Sequence, residues 1–189
     1  MIPGPSAQQY IWHRYMLWGA ITGVLFIIDI ASKQAIQNAV VSFGYQLSDP
    51  GLAVCIKAVF PGFDLVFVKN FGVSFGLFNN IDTAFSQQWI LSGLAFLITG
   101  YFVYMVKEAQ SMPMIWGLGL ICSGALGNAF SRLRDGYVTD FIDLYINLEQ
   151  PMHWPAFNIA DICITVGATC YFIGLLRHER KQGKTRITP

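Results

Sequence analysis

The sequence predicts an all-α membrane protein with four transmembrane helices and a small extracytoplasmic β-sheet between spans one and two. Two observations support this fold class. Of the 189 residues, 54% are hydrophobic and only 12% are charged, whereas an ordinary soluble domain carries about 25% charged residues. Four long stretches lack any charged residue, and each is close to the roughly 20 residues that cross a bilayer. We place the spans at 15–34, 88–106, 112–130 and 157–176, in a single integral membrane domain covering 1–189.

The distribution of Lys and Arg predicts the orientation of these spans. The densest basic cluster lies in the C-terminal tail, Lys107 lies between spans two and three, and Arg14 precedes span one. Because cytoplasmic segments carry an excess of positive charge, we expect both termini and this loop in the cytoplasm. The segments 35–87 and 131–156 are then external. A net charge of +1 gives no sign of a nucleic-acid-binding surface.

The first external segment is too long to be a simple connection. Within it, residues 63–67 and 73–78 are rich in β-branched and aromatic side chains. Such runs, bounded by Gly, Pro and Asn, are typical of short strands. We therefore expect a small antiparallel sheet on the membrane surface, with a turn through 69–72.

Two aspartates, Asp140 and Asp161, flank the entry to the last hydrophobic stretch. A carboxylate beside hydrocarbon is costly enough to indicate a functional site. Two of them on one side of the membrane suggest an acid–base pair that shares a proton. Asp161 also has a structural interpretation, because Asn158 followed by Asp161 resembles a helix N-cap with an acidic third position. The two interpretations are compatible.

Other polar residues near the span ends leave alternatives open. Asp29 and Lys33 lie four residues apart, either as a helix-end pair that reaches the interface or as groups in a cavity between helices. Asn128 must form hydrogen bonds at its depth, as a structural bridge or as a substrate-binding amide. Asp143 follows Asp140 among apolar residues, so we expect this segment to dip back against the helices.

Five separated blocks of the chain resemble the lipoprotein signal peptidases, also called type II signal peptidases. The residues that carry this resemblance are Asp29, Ser32 and Lys33; Asn70, Gly72 and Phe75; Gly124, Gly127, Asn128 and Arg132; Gly136, Val138, Asp140 and Asp143; and Phe157, Asn158, Ala160 and Asp161. The blocks appear in the order typical of the family and cover most of the chain.

The resemblance implies an aspartic endopeptidase in which Asp140 and Asp161 are the catalytic pair. It also implies a set of supporting or substrate-binding residues: Asp29, Lys33, Asn70, Gly72, Asn128, Arg132, Asp143 and Asn158. The implied substrate is a diacylglyceryl-modified prolipoprotein, cut just before the lipidated cysteine to release its signal peptide. The implied location is the bacterial inner membrane, with the active site toward the outside. The expected partners are these signal peptides and membrane lipid, for a monomer without metal or organic cofactor.

One position departs from the family pattern, which has an Asp where this chain has Ser131. We hypothesise that Asp135, about one helical turn further on, supplies the missing carboxylate near Arg132. The departure leaves a catalytically inactive relative that binds lipidated peptides as an alternative function. A proton-coupled carrier that uses Asp29 and Asp161 is a further alternative. The absence of an internal repeat argues against the carrier.

Overall fold

The computed structural model describes residues 7–49, 51–72, 84–146 and 150–185. Within these ranges, four helices are long and apolar enough to cross a membrane, which confirms the four-span prediction. They are α1 (Ala7–Ser42), α2 (Ala84–Val106), α3 (Met112–Asp135) and α4 (Ile159–Thr185).

The expected span limits need correction at several helix ends. Helix α1 begins eight residues before the expected span and ends eight residues after it, and α3 continues to Asp135. Hydropathy marks only the part of a helix that faces hydrocarbon, whereas intrahelical hydrogen bonds extend a helix into the interface. Helix α4 begins two residues later than expected, at Ile159.

Helix α3 is the centre of the bundle. About two thirds of its most apolar stretch is buried inside the protein, compared with about a fifth for each of the other helices. Glycines allow this close packing. A Cβ on Gly117 would lie 2.6 Å from the backbone nitrogen of Tyr171 in α4, and one on Gly119 would lie 2.9 Å from the side chain of Ile21 in α1. Two faces of α3 therefore approach two helices closely.

The segment between α1 and α2 and the segment between α3 and α4 both contribute to one antiparallel sheet. Its strands are β1 (Ala53–Phe60), β2 (Phe63–Asn70), β3 (Val138–Ile146) and β4 (Met152–His153), in the order β1-β2-β3-β4. The strand predicted at 63–67 is confirmed within β2. Its partners are β1 and β3, which the sequence analysis did not recognise as strands. The strand predicted at 73–78 lies outside the described residues.

Two further corrections concern the ends of these strands. Lys69 and Asn70, assigned to a turn, are the last residues of β2 and pair with β3. The turn of the β1–β2 hairpin lies instead at Pro61-Gly62, where Gly62 has φ 95°, a left-handed conformation that glycine adopts without steric cost.

A small apolar core attaches the sheet to the end of helix α1. Ile36 and Val40 of α1 pack with Phe67 of β2, Tyr137 and Phe141. The segment that carries Asp140 was expected to fold back against the helices. It does so as strand β3, because alternate side chains of a strand can face α1 while its backbone pairs with β2.

Candidate active site

Asp140 and Asp161 come together because both bind Asn158. Asp140 lies in β3, and its Oδ1 accepts a hydrogen bond of 2.5 Å from Asn158 Nδ2. Asp161 lies in the first turn of α4, and its Oδ2 accepts one of 3.2 Å from the Asn158 backbone nitrogen. Asn158 is completely buried. One residue therefore sets the spacing between a strand carboxyl and a helix carboxyl.

The helix-cap interpretation of Asp161 also agrees with the geometry. The Asn158 side-chain oxygen accepts a hydrogen bond of 3.1 Å from the Asp161 backbone nitrogen. Together with the reciprocal bond to Asp161 Oδ2, this is a capping box. The positive end of the helix dipole also favours a carboxylate in the first turn.

Asn70, at the end of strand β2, holds the second oxygen of Asp140. Asn70 Nδ2 donates to Asp140 Oδ2 over 3.0 Å, and Asn70 Oδ1 accepts from the Gly72 backbone nitrogen over 3.0 Å. Arg132 Nη2 in turn donates to the Gly72 carbonyl oxygen over 2.5 Å. The structure thus brings Asn70, Gly72 and Arg132 into one chain of contacts that ends at Asp140.

A second chain of contacts holds Asp161. Asn128 Nδ2 donates to Asp161 Oδ1 over 3.0 Å, and Asn128 Oδ1 accepts from Lys33 Nζ over 2.8 Å. Lys33 Nζ also lies 2.7 Å from Asp29 Oδ2, and Asp29 Oδ1 accepts from the Ala160 backbone nitrogen over 2.9 Å. Asp29 and Lys33 are each 1% exposed, so the interpretation as a pair that reaches the interface is wrong. The pair is a buried bridge between helices.

The electrostatic environment favours a proton on Asp140. Burial raises the pKa of Asp140 to about 7, and the neighbouring charge of Asp161 acts in the same direction. Hydrogen bonds from Asn70 and Asn158 and the charge of Lys33 lower this pKa, but burial outweighs them. An ordinary aspartate has a pKa of about 3.9. Asp140 therefore retains a proton to a pH at which an exposed carboxyl is fully ionised.

A pocket of about 490 Å³ opens beside the two carboxyl groups. Apart from the two aspartates, most of its lining is apolar. The other lining residues are Trp154, Pro155, Ala156, Phe157, Ile162, Ile164, Thr165 and Val166. In the described ranges, no group of three His, Cys, Asp or Glu side chains is placed to hold a metal ion. The pocket can thus hold an extended apolar group against two carboxyl groups.

Asp143 and Asp135 have other partners. Asp143 Oδ2 lies 2.8 Å from His153 Nδ1, and Asp143 is three residues from Asp140 along β3, on the opposite face. Asp135 binds Arg134 over 2.7 Å and Gln37 over 3.1 Å. His153 and Gln37 were missed by the sequence analysis. Their only signal was a polar side chain next to a motif.

The hypothesis that Asp135 compensates for Ser131 at Arg132 has no support in these contacts. Arg132 donates to the carbonyl oxygens of Gly72 and Asn128, and the negative charges that act on it include those of Asp140 and Asp161. Ser131 is buried, and its hydroxyl donates to the Gly127 carbonyl over 3.0 Å. The physical reason is the direction of the Arg132 side chain, whose guanidinium reaches the carbonyl oxygens of Gly72 and Asn128.

Known proteins resemble this chain over most of its length. The family model described as signal peptidase (SPase) II matches residues 21–177. A lipoprotein signal peptidase of Aeromonas hydrophila is 38% identical over 172 residues, which cover 89% of this chain and 92% of the relative. One of Vibrio parahaemolyticus is 36% identical and covers 86% of this chain and 88% of the relative.

A solved structure shows the same fold. It is described as a bacterial membrane enzyme determined by the in meso method at 2.3 Å, and it is 26% identical with a TM-score of 0.64. The match covers 85% of this chain and 87% of that chain. On the family model and the two relatives together, this chain belongs to the signal peptidase II family.

Proposed function

We propose that this chain is a lipoprotein signal peptidase that works as an aspartic endopeptidase, with Asp140 and Asp161 as its catalytic pair. The observation that carries the proposal is the sharing of Asn158 by both carboxyl groups at the polar end of an apolar pocket. Family membership supports the peptidase activity, and the geometry supports the aspartic mechanism.

In the proposed mechanism, the pair begins with one shared proton, held mainly by Asp140. Ionised Asp161 takes a proton from a water molecule between the two groups, and this water attacks the scissile carbonyl carbon. Asp140 donates its proton to the carbonyl oxygen, which yields a tetrahedral diol. Asp140 then takes a proton back from a diol hydroxyl, while Asp161 donates its proton to the leaving nitrogen. The pair ends as it began, and one water is consumed.

The supporting residues keep the two carboxyl groups in place during this cycle. Asn70 and Asn158 each donate to Asp140, and Asn128 donates to Asp161. These amide N–H groups stabilise the negative charge as it alternates between the Asp140 and Asp161 carboxyl groups. The amides do not take up the proton themselves. The buried Lys33 adds a positive charge behind Asn128. Such fixed donors lower the cost of each proton transfer because they need little reorganisation.

The pocket supports a substrate that carries lipid. We propose that the diacylglyceryl chains lie along α4 beside Ile162 and Val166, and that cleavage occurs just before the lipidated cysteine. The anchor would hold the scissile bond near the pair, and such positioning makes water an adequate nucleophile. We further propose that the pair faces the outside of the inner membrane and that both termini lie in the cytoplasm.

The test is cleavage of a diacylglyceryl-modified prolipoprotein by the purified protein. Asp140→Asn and Asp161→Asn should each lower kcat at least about 100-fold, since general acid–base groups contribute 10²–10⁴-fold. Asp49→Asn is the matched control, because Asp49 is exposed in the loop after α1, and its rate should equal that of the wild type. Mass spectrometry should place the new N-terminus at the lipidated cysteine. Unchanged kcat in either variant, or a different cleavage site, would refute the mechanism.

A further inference from the structure

Strand β4 directly precedes the residues that line one side of the catalytic pocket. It consists only of Met152 and His153, which pair with Ile146 and Tyr145 of β3. The next four residues, 154–157, line the pocket beside Asp140 and Asp161; they are called the pocket wall below. The position of β4 therefore sets the position of this wall.

The pocket wall is attached to β3 at both ends. At its C-terminal end, Phe157 exchanges backbone hydrogen bonds with Ile142, and its carbonyl also accepts from Phe141. At its N-terminal end, the Trp154 backbone nitrogen donates to the Leu144 carbonyl over 2.7 Å. A two-residue strand pair is a weak attachment by itself. The N-terminal end therefore depends on side-chain contacts.

His153 supplies those contacts. Its Nδ1 lies 2.8 Å from Asp143 Oδ2, and its ring lies 5.0 Å from that of Tyr145, with 37° between the ring planes. The Asp143 side chain is 12% exposed. The His153 side chain is half exposed, and a hydrogen bond to a carboxylate is stronger than one between two neutral groups.

The charges around this contact favour a donor at position 153. One face of the sheet carries Asp143 and Tyr145, which alternate along β3, and His153, which pairs with Tyr145. On the neighbouring strand β2, Asp64 is the direct partner of Asp143. Adjacent carboxylates on neighbouring strands repel each other. An N–H donor from His153 offsets that repulsion, and the hydrogen bond orients the Asp143 carboxylate toward β4.

We propose that His153 is a positioning residue, which through Asp143 holds the pocket wall in place for the lipid-modified part of the substrate. This inference rests on the proposed function for its substrate. It also gives Asp143 a role separate from the catalytic pair. Because Phe157 anchors the other end of the wall next to Asn158, the catalytic pair keeps its geometry when His153 is lost. The effect should therefore fall on substrate binding rather than on the chemical step.

The first test measures steady-state cleavage of a diacylglyceryl-modified prolipoprotein. His153→Ala should raise KM about tenfold, the effect of losing one charge-assisted hydrogen bond, and should change kcat less than twofold. His153→Asn should recover most of the affinity, because its Nδ2 occupies the position of the histidine Nδ1. His153→Gln carries the same amide one methylene further out and should behave like His153→Ala. This Asn–Gln pair keeps the test decisive if the alanine variant fails to fold.

The matched control is His13→Ala, since His13 is an exposed histidine bonded to the Gln9 carbonyl in α1, away from the catalytic pocket. Its KM should equal that of the wild type. A KM for His153→Ala within twofold of the wild type, equal KM values for His153→Asn and His153→Gln, or a loss confined to kcat would each overturn the proposal.

A binding measurement separates this inference from the proposed function. A fluorescent diacylated signal peptide is titrated into Asp140→Asn protein with and without His153→Ala, and the second change should weaken binding about tenfold. If the wild type does not cleave but this difference remains, the catalytic proposal fails and the role of His153 stands. If the peptide binds both forms equally, or binds neither, the role of His153 is refuted.

Discussion

At the scale of single residues, Asn158 both caps helix α4 and holds the Asp140 and Asp161 carboxyl groups close together. Its side-chain oxygen caps α4, its side-chain nitrogen binds Asp140, and its backbone nitrogen binds Asp161. Three hydrogen bonds from one buried residue leave little freedom in the relative position of the two carboxyl groups. An aspartate that looks like a helix cap can therefore also be half of an acid–base pair.

The raised pKa of Asp140 predicts an alkaline limit to activity. As the pH rises through about 7, the shared proton is lost and the pair has no acid for the carbonyl oxygen. The value of kcat/KM should then fall, approaching tenfold per pH unit. The apparent pKa belongs to the pair rather than to one residue. Rates between pH 5 and 9 measure it, and a constant kcat/KM up to pH 9 would contradict the assignment.

The raised pKa of Asp140 also predicts how the stability of the folded protein depends on pH. The pKa of Asp140 is higher in the folded protein than in the unfolded chain, so the protonated form favours the fold. This contribution is fully present below about pH 4 and is lost as the pH rises through about 7. Asp140→Asn mimics the protonated form, so its Tm should decline less than that of the wild type between pH 4 and 8. Parallel Tm curves for the two proteins would refute this.

At the scale of elements, α3 positions the site because two of its faces lack bulky side chains. Gly117 and Gly124 lie against the backbone of α4, and Gly127 lies against the Asp29 carboxylate of α1. Close backbone approach lets Asn128 reach both Lys33 of α1 and Asp161 of α4. A bulkier helix surface would separate these groups beyond hydrogen-bonding distance.

Gly117→Val should destabilise the protein without changing the catalytic groups directly. A Cβ at Gly117 would lie 2.6–2.8 Å from atoms of Tyr171 and Gly167, two of them backbone atoms, so the helices must separate. Overpacking of this kind costs typically 1–3 kcal/mol, which corresponds to a Tm lower by about 2–12 °C. Thermal unfolding in detergent measures the change.

The control for this variant is Gly100→Val in α2, where an added Cβ meets no atom within 4 Å among the described residues. Valine has a higher helix propensity than glycine, so this change should leave the Tm equal or slightly higher. Equal losses of Tm in the two variants would show that α3–α4 proximity is not the cause.

At the scale of the whole molecule, the sheet and the helix bundle meet at the candidate active site. The sheet takes two strands from the segment between α1 and α2 and two from the segment between α3 and α4. Its core packs on the end of α1 through Ile36 and Val40. Because β3 carries Asp140 and α4 carries Asp161, the proposed catalytic pair forms only when the sheet packs on the bundle.

The proposed orientation predicts which cysteine is accessible from outside the cell. Cys55 lies exposed on β1, whereas Cys122 and Cys163 are buried. A membrane-impermeant maleimide applied to intact spheroplasts should therefore label the protein, and Cys55→Ser should abolish the label. Lys184→Cys on the Cys55→Ser background should react only after permeabilisation, since the tail is cytoplasmic in this orientation. Labelling of Cys55 only after permeabilisation would reverse the proposed topology.

The four spans and one strand could be predicted from the sequence alone, as could the hypothesis that Asp140 and Asp161 form a catalytic pair. Charge-free stretches report membrane crossing because an unpaired charge in hydrocarbon is costly. Two carboxylates near such a stretch are conspicuous for the same reason. The motif blocks around Asn70, Asn128 and Asn158 identified polar residues but not the contacts between them.

The contacts between these polar residues follow from the packing of elements that are distant in the sequence. Strand β3 lies between α3 and α4, and its pairing with β2, from the segment between α1 and α2, depends on long-range hydrogen bonds that no local pattern encodes. Lys33 could reach the interface or the protein interior, and the close approach of α1 to α3 directs it to Asn128. His153 lies next to a motif but outside it, and its contact with Asp143, ten residues earlier, arises only through the pairing of β3 with β4.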